Sequence, residues 1–307
     1  MRIVFMGTPD YAAVTLQKLI DEKYDIAAVF AQPDKPVGRK QILTPPETKV
    51  LAQKYDIPVY QPKTLRDGEA YKVLKELNPD AIVVVAYGKI LPKEILDLPK
   101  YGCINGHASL LPKLRGASPI QWAIVTGEKV TGVTTMLMDE GMDTGDILET
   151  AFIDIGDEET AEELFDRLSV ISADLMISTL KKAQNNELSP KKQNHADATY
   201  APIIKKEMAH LDFNKTADEI CNAVRGFYSW PCAYCFINGK RIKVIKAKKV
   251  NLTAQECGVV IDSNNKLVIS CKGGSVELIT VQPEGAKIMS ASQMLNGHAI
   301  SKGTVVE

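Results

Sequence analysis

An amide, an imidazole and a carboxylate lie on two turn-rich segments of this 307-residue chain. Asn105 and His107 sit two residues apart in Cys103-Ile104-Asn105-Gly106-His107-Ala108-Ser109-Leu110-Leu111-Pro112. Asp143 follows in Asp139-Glu140-Gly141-Met142-Asp143-Thr144-Gly145-Asp146. When an amine attacks a formyl or acyl carbon, the adduct's oxygen turns negative and its nitrogen positive. A side-chain amide can donate to that oxygen, an imidazole can carry the proton, and a carboxylate can orient and charge the ring. Together the three side chains point to acyl transfer. Taken singly, each has a plainer reading. Asn105-Gly106 is a good turn dipeptide, His107 could satisfy a loop carbonyl, and Asp143 could shape a turn between glycines. A metal site from Asp139, Asp143 and Asp146 is disfavoured, because the segment lacks the alternation of a calcium loop.

The elements that must hold these groups follow from periodicity. Apolar runs at Arg2–Met6, Ile26–Phe30, Pro58–Tyr60, Ala81–Val85, Gly102–Gly106, Val130–Met138 and Ile147–Ile155 read as strands. Helical spacing appears from Pro9 to about Glu22, with Thr8 as N-cap, and at Glu47–Lys54, Asp67–Leu77 and Thr160–Asn185. Residues 33–41 read as a loop. Strands alternating with helices predict a doubly wound, mostly parallel α/β sheet, whose ligands gather at the carboxyl ends of the strands. Asn105 and His107 lie at such an end. Gly7-Thr8-Pro9-Asp10 carries one glycine, which argues against a dinucleotide-binding turn.

Past a polar stretch at Asn185–Thr199 the pattern changes. A helix near Thr216–Arg225 precedes five short β runs, at Ala233–Ile237, Arg241–Val250, Gly258–Asp262, Leu267–Cys271 and Val276–Thr280. They are separated by Asn238-Gly239, Asn264-Asn265 and Gly273-Gly274, which predicts a small OB-like β-barrel. The expected division is 1–188, a linker at 189–207, and 208–307. Net charge is −1 overall, but Lys205–Glu307 holds 14 Lys and Arg against 9 Asp and Glu, while the rest holds 23 against 29. A basic C-terminal third suggests a polyanionic partner. Its densest run is Lys240-Arg241-Ile242-Lys243-Val244-Ile245-Lys246-Ala247-Lys248-Lys249. A bulge near Val244-Ile245 would set Arg241, Lys243, Lys246 and Lys248 on one outer face, able to track phosphates; a merely solvated face is the plainer reading. Phe227, Tyr228 and Trp230 are expected to pack at the seam between the two parts.

Cys232-x-x-Cys235 sits in an apolar run with no second pair, so small buried side chains are expected there in place of zinc or redox chemistry. With no signal peptide, no run of membrane-spanning length and no cysteine framework, a soluble, cytoplasmic protein is expected.

The motifs Phe5-Met6-Gly7-Thr8-Pro9-Asp10, Gln32-Pro33-Asp34-Lys35-Pro36-x-Gly38-Arg39, Val84-Val85-Ala86-Tyr87-Gly88, Asn105-x-His107-x-Ser109-Leu110-Leu111-Pro112, Arg115-Gly116-Ala117-x-Pro119-Ile120-Gln121 and Asp139-x-Gly141-x-Asp143-Thr144-Gly145-Asp146 occur in one order. In them the chain resembles the formyltransferases that use 10-formyltetrahydrofolate, over nearly its whole length. The resemblance implies that Asn105, His107 and Asp143 are the catalytic trio. It implies that Ser109, Leu110, Leu111 and Pro112 lie along the folate, with the pterin near Tyr87, Ile90, Leu91, Glu140 and Gly141. The formyl group arrives activated on 10-formyltetrahydrofolate, so no metal is expected. Arg39 and Lys40 lie in a loop resembling the family's tRNA-contacting insertion, shorter and less basic here. Gly106 stands where a β-branched residue is more usual.

The leading expectation is formylation of the α-amino group of methionine on charged initiator tRNA, for translation initiation, by a monomer in the cytoplasm, with the C-terminal barrel and Arg39, Lys40, Arg241, Lys243, Lys246 and Lys248 contacting the tRNA. Three alternatives stand beside it. One is formylation of a small amine such as a ribonucleotide or sugar nucleotide. Another is hydrolysis of formyltetrahydrofolate, and the third is RNA binding on an inactive α/β body.

Overall fold

A computed structural model describes residues 1–38, 40–252, 255–297 and 300–307. The chain divides into two compact units. The first comprises Met1–Pro119, Val130–Ile153 and Phe165–Ala201; the second comprises Ile120–Lys129, Asp154–Leu164 and Pro202–Glu307.

In the first unit the elements are β1 (Arg2–Gly7), α1 (Asp10–Asp21), β2 (Asp25–Phe30), β3 (Lys35–Val37), β4 (Ile42–Thr44), α2 (Glu47–Lys54), β5 (Val59–Tyr60), α3 (Glu69–Leu77), β6 (Ala81–Val85), α4 (Lys93–Leu96), β7 (Cys103–His107), β8 (Val130–Leu137) and β9 (Ile147–Asp154). A long helix, α6 (Ala161–Gln184), follows the short α5 (Pro119–Val125) in helix order. The sheet runs β5-β2-β1-β6-β7-β8-β9. Its first five strands are parallel, and β8 is antiparallel to β7. Every residue of β6 is buried, as expected of a parallel strand covered on both faces.

Three local expectations change. Helix α1 starts at Asp10 with Pro9 as its cap residue and no side-chain cap. The Thr8 hydroxyl instead donates to the Tyr87 carbonyl (3.4 Å) and accepts from Gln32 N (3.3 Å). Residues 35–44 form a β-hairpin, with Pro36 opposite Leu43 and Val37 opposite Ile42. Pro and Gly mask its alternation in the sequence. Finally, the 189–207 stretch is not uniformly solvated. Residues through Ala201 belong to the first unit, and Gln193 is only 6% exposed.

The second unit is built on α7 (Ala217–Gly226), β10 (Tyr234–Ile237), β11 (Lys240–Val250), β12 (Val260–Asp262), β13 (Leu267–Cys271), β14 (Gly274–Pro283), β15 (Met289–Ser290) and α8 (Ala291–Gly297). Thr216 and Glu219 form a reciprocal capping box on α7, which satisfies two otherwise orphaned helix N–H groups. The antiparallel order is β10-β11-β14-β13-β12. Residues 304–307 then bond to both ends of this path. Phe236 and Glu307 exchange backbone hydrogen bonds on one side, while Val260 N donates to Thr304 O and Val306 N to Gly258 O on the other. The sheet thereby closes into a small barrel around Ile242, Val244, Leu267, Ile269, Val276 and Leu278. Phe227 is buried with Ile204 and Ala209 against Trp122 and Val125. Trp230 does not follow it inward and is 54% exposed. Cys232 and Cys235 are buried free thiols, and burial pushes the Cys235 thiol up to about 12.

Candidate active site

Alternation along β7 puts Cys103, Asn105 and His107 on one sheet face and Gly106 on the other. Cys103 joins the core of Val4, Met6, Phe30, Ile82, Tyr87 and Ile95. Gly106 faces α6, where an added Cβ would lie 3.0 Å from Ser172 Oγ and 3.4 Å from Met176 Cε. This side of the strand has little room for a β-branched side chain.

Because β8 is antiparallel, its last residue pairs with the start of β7: Leu137 lies opposite Ile104, and Thr134 opposite His107. The 138–146 loop therefore begins beside Cys103 and must run back along the strand to bring Asp143 to His107. It does so. His107 Nδ1 lies 3.7 Å from Asp143 Oδ2. That is long for a hydrogen bond but close for charges. Asp143 adopts φ +54°, a left-handed conformation tolerated by Asp in a turn. Gly116 N donates to its Oδ2 at 2.7 Å. At Gly145 a Cβ would run into the Leu137 carbonyl, so only glycine lets the two arms of the loop close there.

The Leu114 carbonyl accepts from His107 Nε2 at 3.0 Å. This leaves Nδ1, the nitrogen facing Asp143, for proton exchange. Both side chains are nearly buried, so few waters compete for them. Asn105 is half-buried, and none of the described residues hydrogen-bonds to its side-chain amide. Its donors remain available to an incoming oxygen. The turn after His107 is tied in turn: Thr134 Oγ1 donates to Ser109 O (2.7 Å) and accepts from Leu111 N (3.1 Å). Ser109 Oγ donates to Lys113 O (2.6 Å), and the Leu111-Pro112 peptide is cis. Asp139, the first carboxylate of the loop, turns to Thr144 Oγ1 (2.6 Å) and Gly141 N (3.0 Å). It and Asp143 thus serve different partners.

The formyl transferase family matches residues 1–180, and the formyl transferase C-terminal domain matches residues 203–299. The chain belongs to the formyltransferase family. It is 48% identical to the methionyl-tRNA formyltransferase of Thermodesulfovibrio yellowstonii, over 98% of this chain and 97% of that one. It is 47% identical to the methionyl-tRNA formyltransferase of Caldanaerobacter subterraneus subsp. tengcongensis, over the whole of both chains. Among solved structures, its fold is similar to the N-formyltransferase of Helicobacter canadensis in complex with folinic acid and dTDP-3-aminofucose. That likeness has a TM-score of 0.68 at 23% identity, covering 92% of this chain and 98% of that one. The HypX of Aquifex aeolicus in complex with tetrahydrofolic acid is similar at TM-score 0.63 and 15% identity, covering 96% of this chain and 47% of that one.

In this formyltransferase the residues expected around the pterin divide. Leu91 and Tyr87 are buried, and the Tyr87 ring joins the core, where burial pushes its hydroxyl up to about 12. Ile90, by contrast, is 64% exposed, and Glu140 and Gly141 are exposed. The two loops approach one another: Met138 packs on the Tyr87–Leu91 core. The Lys93 ammonium is held above its ordinary value by Asp97 and, more weakly, by the charge of Glu140. Ser109 and Leu111 are buried, while Leu110 and Pro112 are half-buried.

Of the basic residues, Arg39 lies outside the described residues, and Lys40 is exposed in the turn between β3 and β4. On β11 the register slips on both sides of Lys246. Ile242 and Val244 point inward, whereas Arg241, Lys246 and Lys248 are exposed and Lys243 is half-buried. Arg241 sits over the Tyr234 ring at 5.8 Å. Lys246 pairs with Glu158 at 2.9 Å and Lys248 with Glu277 at 3.2 Å.

Gln193 is the functional neighbour that sequence reasoning missed. Its amide donates to Asp143 O (2.9 Å) and Gly145 O (2.8 Å). It lies in a run of polar residues, and nothing in that composition separates a buried bridge from a solvated loop.

Proposed function

We propose that this formyltransferase moves the formyl group of 10-formyltetrahydrofolate to the α-amino group of methionine on charged initiator tRNA, the modification that marks the initiator for translation. The convergence of His107 and Asp143 beside the unengaged Asn105 amide carries the reading. Likeness over the full chain to enzymes named for that reaction supports the acceptor.

In this scheme the neutral amine attacks the formyl carbon and a C–N bond forms. The carbonyl oxygen becomes an oxyanion that accepts from Asn105. One such donor supplies on the order of 3 kcal/mol of transition-state stabilisation. His107 takes the ammonium proton at Nδ1, with Asp143 balancing the charge of the ring. The carbon's bond to N10 of the folate then breaks, N10 receives the proton that His107 took from the ammonium, returning the imidazole to neutral, and formyl-methionyl-tRNA and tetrahydrofolate leave. The free α-amino group titrates at about 7.7–8.0, so little help is needed to keep it neutral.

Ser109, Leu110, Leu111 and Pro112 would line the folate. Ile90 and Met142, both exposed apolar side chains, would cover the pterin, with the backbone of Glu140 and Gly141 reading its polar edge. Residues 1–188 would form the catalytic part and 208–307 the tRNA-binding part. Arg39, Lys40, Arg241, Lys243, Lys246 and Lys248 would meet tRNA phosphates. The chain would act as a monomer in the cytoplasm.

The test is incubation with 10-formyltetrahydrofolate and charged or uncharged initiator tRNA, with a panel of amino sugars and amino nucleotides alongside. Formyl transfer to the charged tRNA alone is expected. Transfer to a small amine but not to methionyl-tRNA would overturn the acceptor, and release of formate without acceptor would mark a hydrolase.

A further inference from the structure

We infer that Arg115 and Gln193 are positioning residues for Asp143, a relay from a buried cation to the backbone of the catalytic loop; this rests on the reading of Asp143 as catalytic. Arg115 is only 2% exposed, and arginine is almost never fully buried unless paired. Among the described residues its hydrogen-bond partners are neutral. Nε and Nη2 donate to Gln193 Oε1 at 3.1 and 2.7 Å. Nη1 and Nη2 donate to His195 Nδ1 at 3.2 and 3.3 Å. Arginine has no acceptor, so His195 Nδ1 is the accepting nitrogen. A buried guanidinium whose hydrogen-bond partners among the described residues include no carboxylate is costly to keep as mere filling, since an apolar side chain of similar volume would serve better.

The guanidinium's use lies one bond further on. Gln193 receives the charge at Oε1 and turns both amide hydrogens onto the catalytic loop, at Asp143 O and Gly145 O. Polarising the amide at its oxygen strengthens the bonds made by its nitrogen. Meanwhile Gly116, next to Arg115 in sequence, holds the Asp143 carboxylate through its own N–H. Two adjacent residues thus grip Asp143 at both ends, one at the carboxylate directly and one at the carbonyl through Gln193. The segment carrying them is itself pinned: Arg115 N donates to Thr199 O (2.9 Å), and Arg115 O accepts from Ala201 N (2.7 Å). Asp143 is held at φ +54° with its carboxylate toward His107. Without the bridge the loop keeps its sequence but loses that aim.

Gln193→Glu separates this role from stability. The new carboxylate still accepts from Arg115 and now neutralises it, but it cannot donate to the Asp143 and Gly145 carbonyls. The expected result is a kcat lower by roughly 10²-fold, the scale of a small misplacement at a reacting centre. The KM for each substrate should stay within about threefold and the melting temperature should be preserved. Introducing Gln193→Glu into an Asp143→Asn background should cost nothing further, because the relay acts only through Asp143. Gln193→Met, which drops both ends of the bridge at similar volume, carries the same expectation for kcat, measured below its melting temperature, which should fall because Arg115 loses its acceptor at Gln193 Oε1. A wild-type kcat in a folded Gln193 variant, or effects that multiply with Asp143→Asn, overturns the relay. A fully active Asp143→Asn variant overturns the catalytic reading itself, and the relay with it.

Discussion

The turn around His107 and the outer face of β11 both present charge, but they are built on opposite plans. At the turn the polar groups other than the Asn105 amide are largely shielded and tied to a named partner: His107 Nε2 to Leu114, Asp143 to Gly116 and Gln193, and Thr134 to Ser109 and Leu111. On β11 Arg241, Lys246, Lys248 and Lys249 are exposed, and the three lysines rest on carboxylates with more than half of each lysine side chain exposed. In the proposed mechanism, preorganisation at the first site would remove reorganisation from the chemical step. Exposed pairs such as Lys246–Glu158 on the second are worth little and exchange readily. A transition state demands a fixed geometry, whereas a phosphate backbone can be met by any cation within reach.

The comparison predicts a graded series. His107→Ala should lower kcat by about 10³-fold, within the range for a lost acid–base group, while 10-formyltetrahydrofolate affinity by titration stays within about twofold; near-normal turnover would take His107 out of the chemistry. Asn105→Ala should cost on the order of 10²-fold in kcat with KM little changed. A rise in KM alone would make Asn105 a binding group. Paired reversal, Arg241→Glu with Lys243→Glu, should leave kcat intact at saturating tRNA and raise its KM about tenfold. The slope of log affinity against log salt should also shrink by roughly one per lost contact. An unchanged salt slope would remove β11 from the tRNA surface. Lys246→Ala should matter least on that strand, with KM within about threefold, because Glu158 already engages its ammonium.

The hairpin stem offers a smaller effect that depends on pH. Lys49 and then Gln61 hold the Asp34 carboxyl below its ordinary value, through bonds of 2.8 and 2.7 Å. A depressed carboxyl stabilises the fold above the ordinary aspartate range, near about 3.9, and that contribution is lost as pH falls through its lower folded value. Asp34→Asn should therefore lower the melting temperature by about 2 °C near neutrality. The difference from wild type should fade in acid. A difference that persisted unchanged would deny the ion pair its role.

Much of this was legible from residue patterns. The buried run at Ala81–Val85, the helix at Glu47–Lys54 and the strand at Leu267–Cys271 carry plain periodicity, and the structure has them at those bounds. The bulge beside Val244 was legible because two consecutive apolar residues break a two-residue period. The rest was hidden for physical reasons. Nothing local marks β8 as antiparallel to β7, since both directions want the same β-branched residues, so the return path of the 138–146 loop had to be seen in three dimensions. Thr8 fits the composition of a helix cap but bonds across the sheet to Tyr87 and Gln32 instead, a tertiary partner outcompeting the local one. Arg115 appears in the sequence only as part of a motif, with no sign of its burial, and Gln193 reads as linker from its neighbours. Their burial depends on each other, which no single-position pattern records.

The closing segment of the barrel has a consequence for association. With Phe236 joined to Glu307 and Val260 to Thr304, the outer edges of β10 and β12 are covered at these residues. Removing residues 304–307 would bare both at once, leaving main-chain groups that a strand from another molecule could pair with. That short stretch guards two edges as well as closing the sheet.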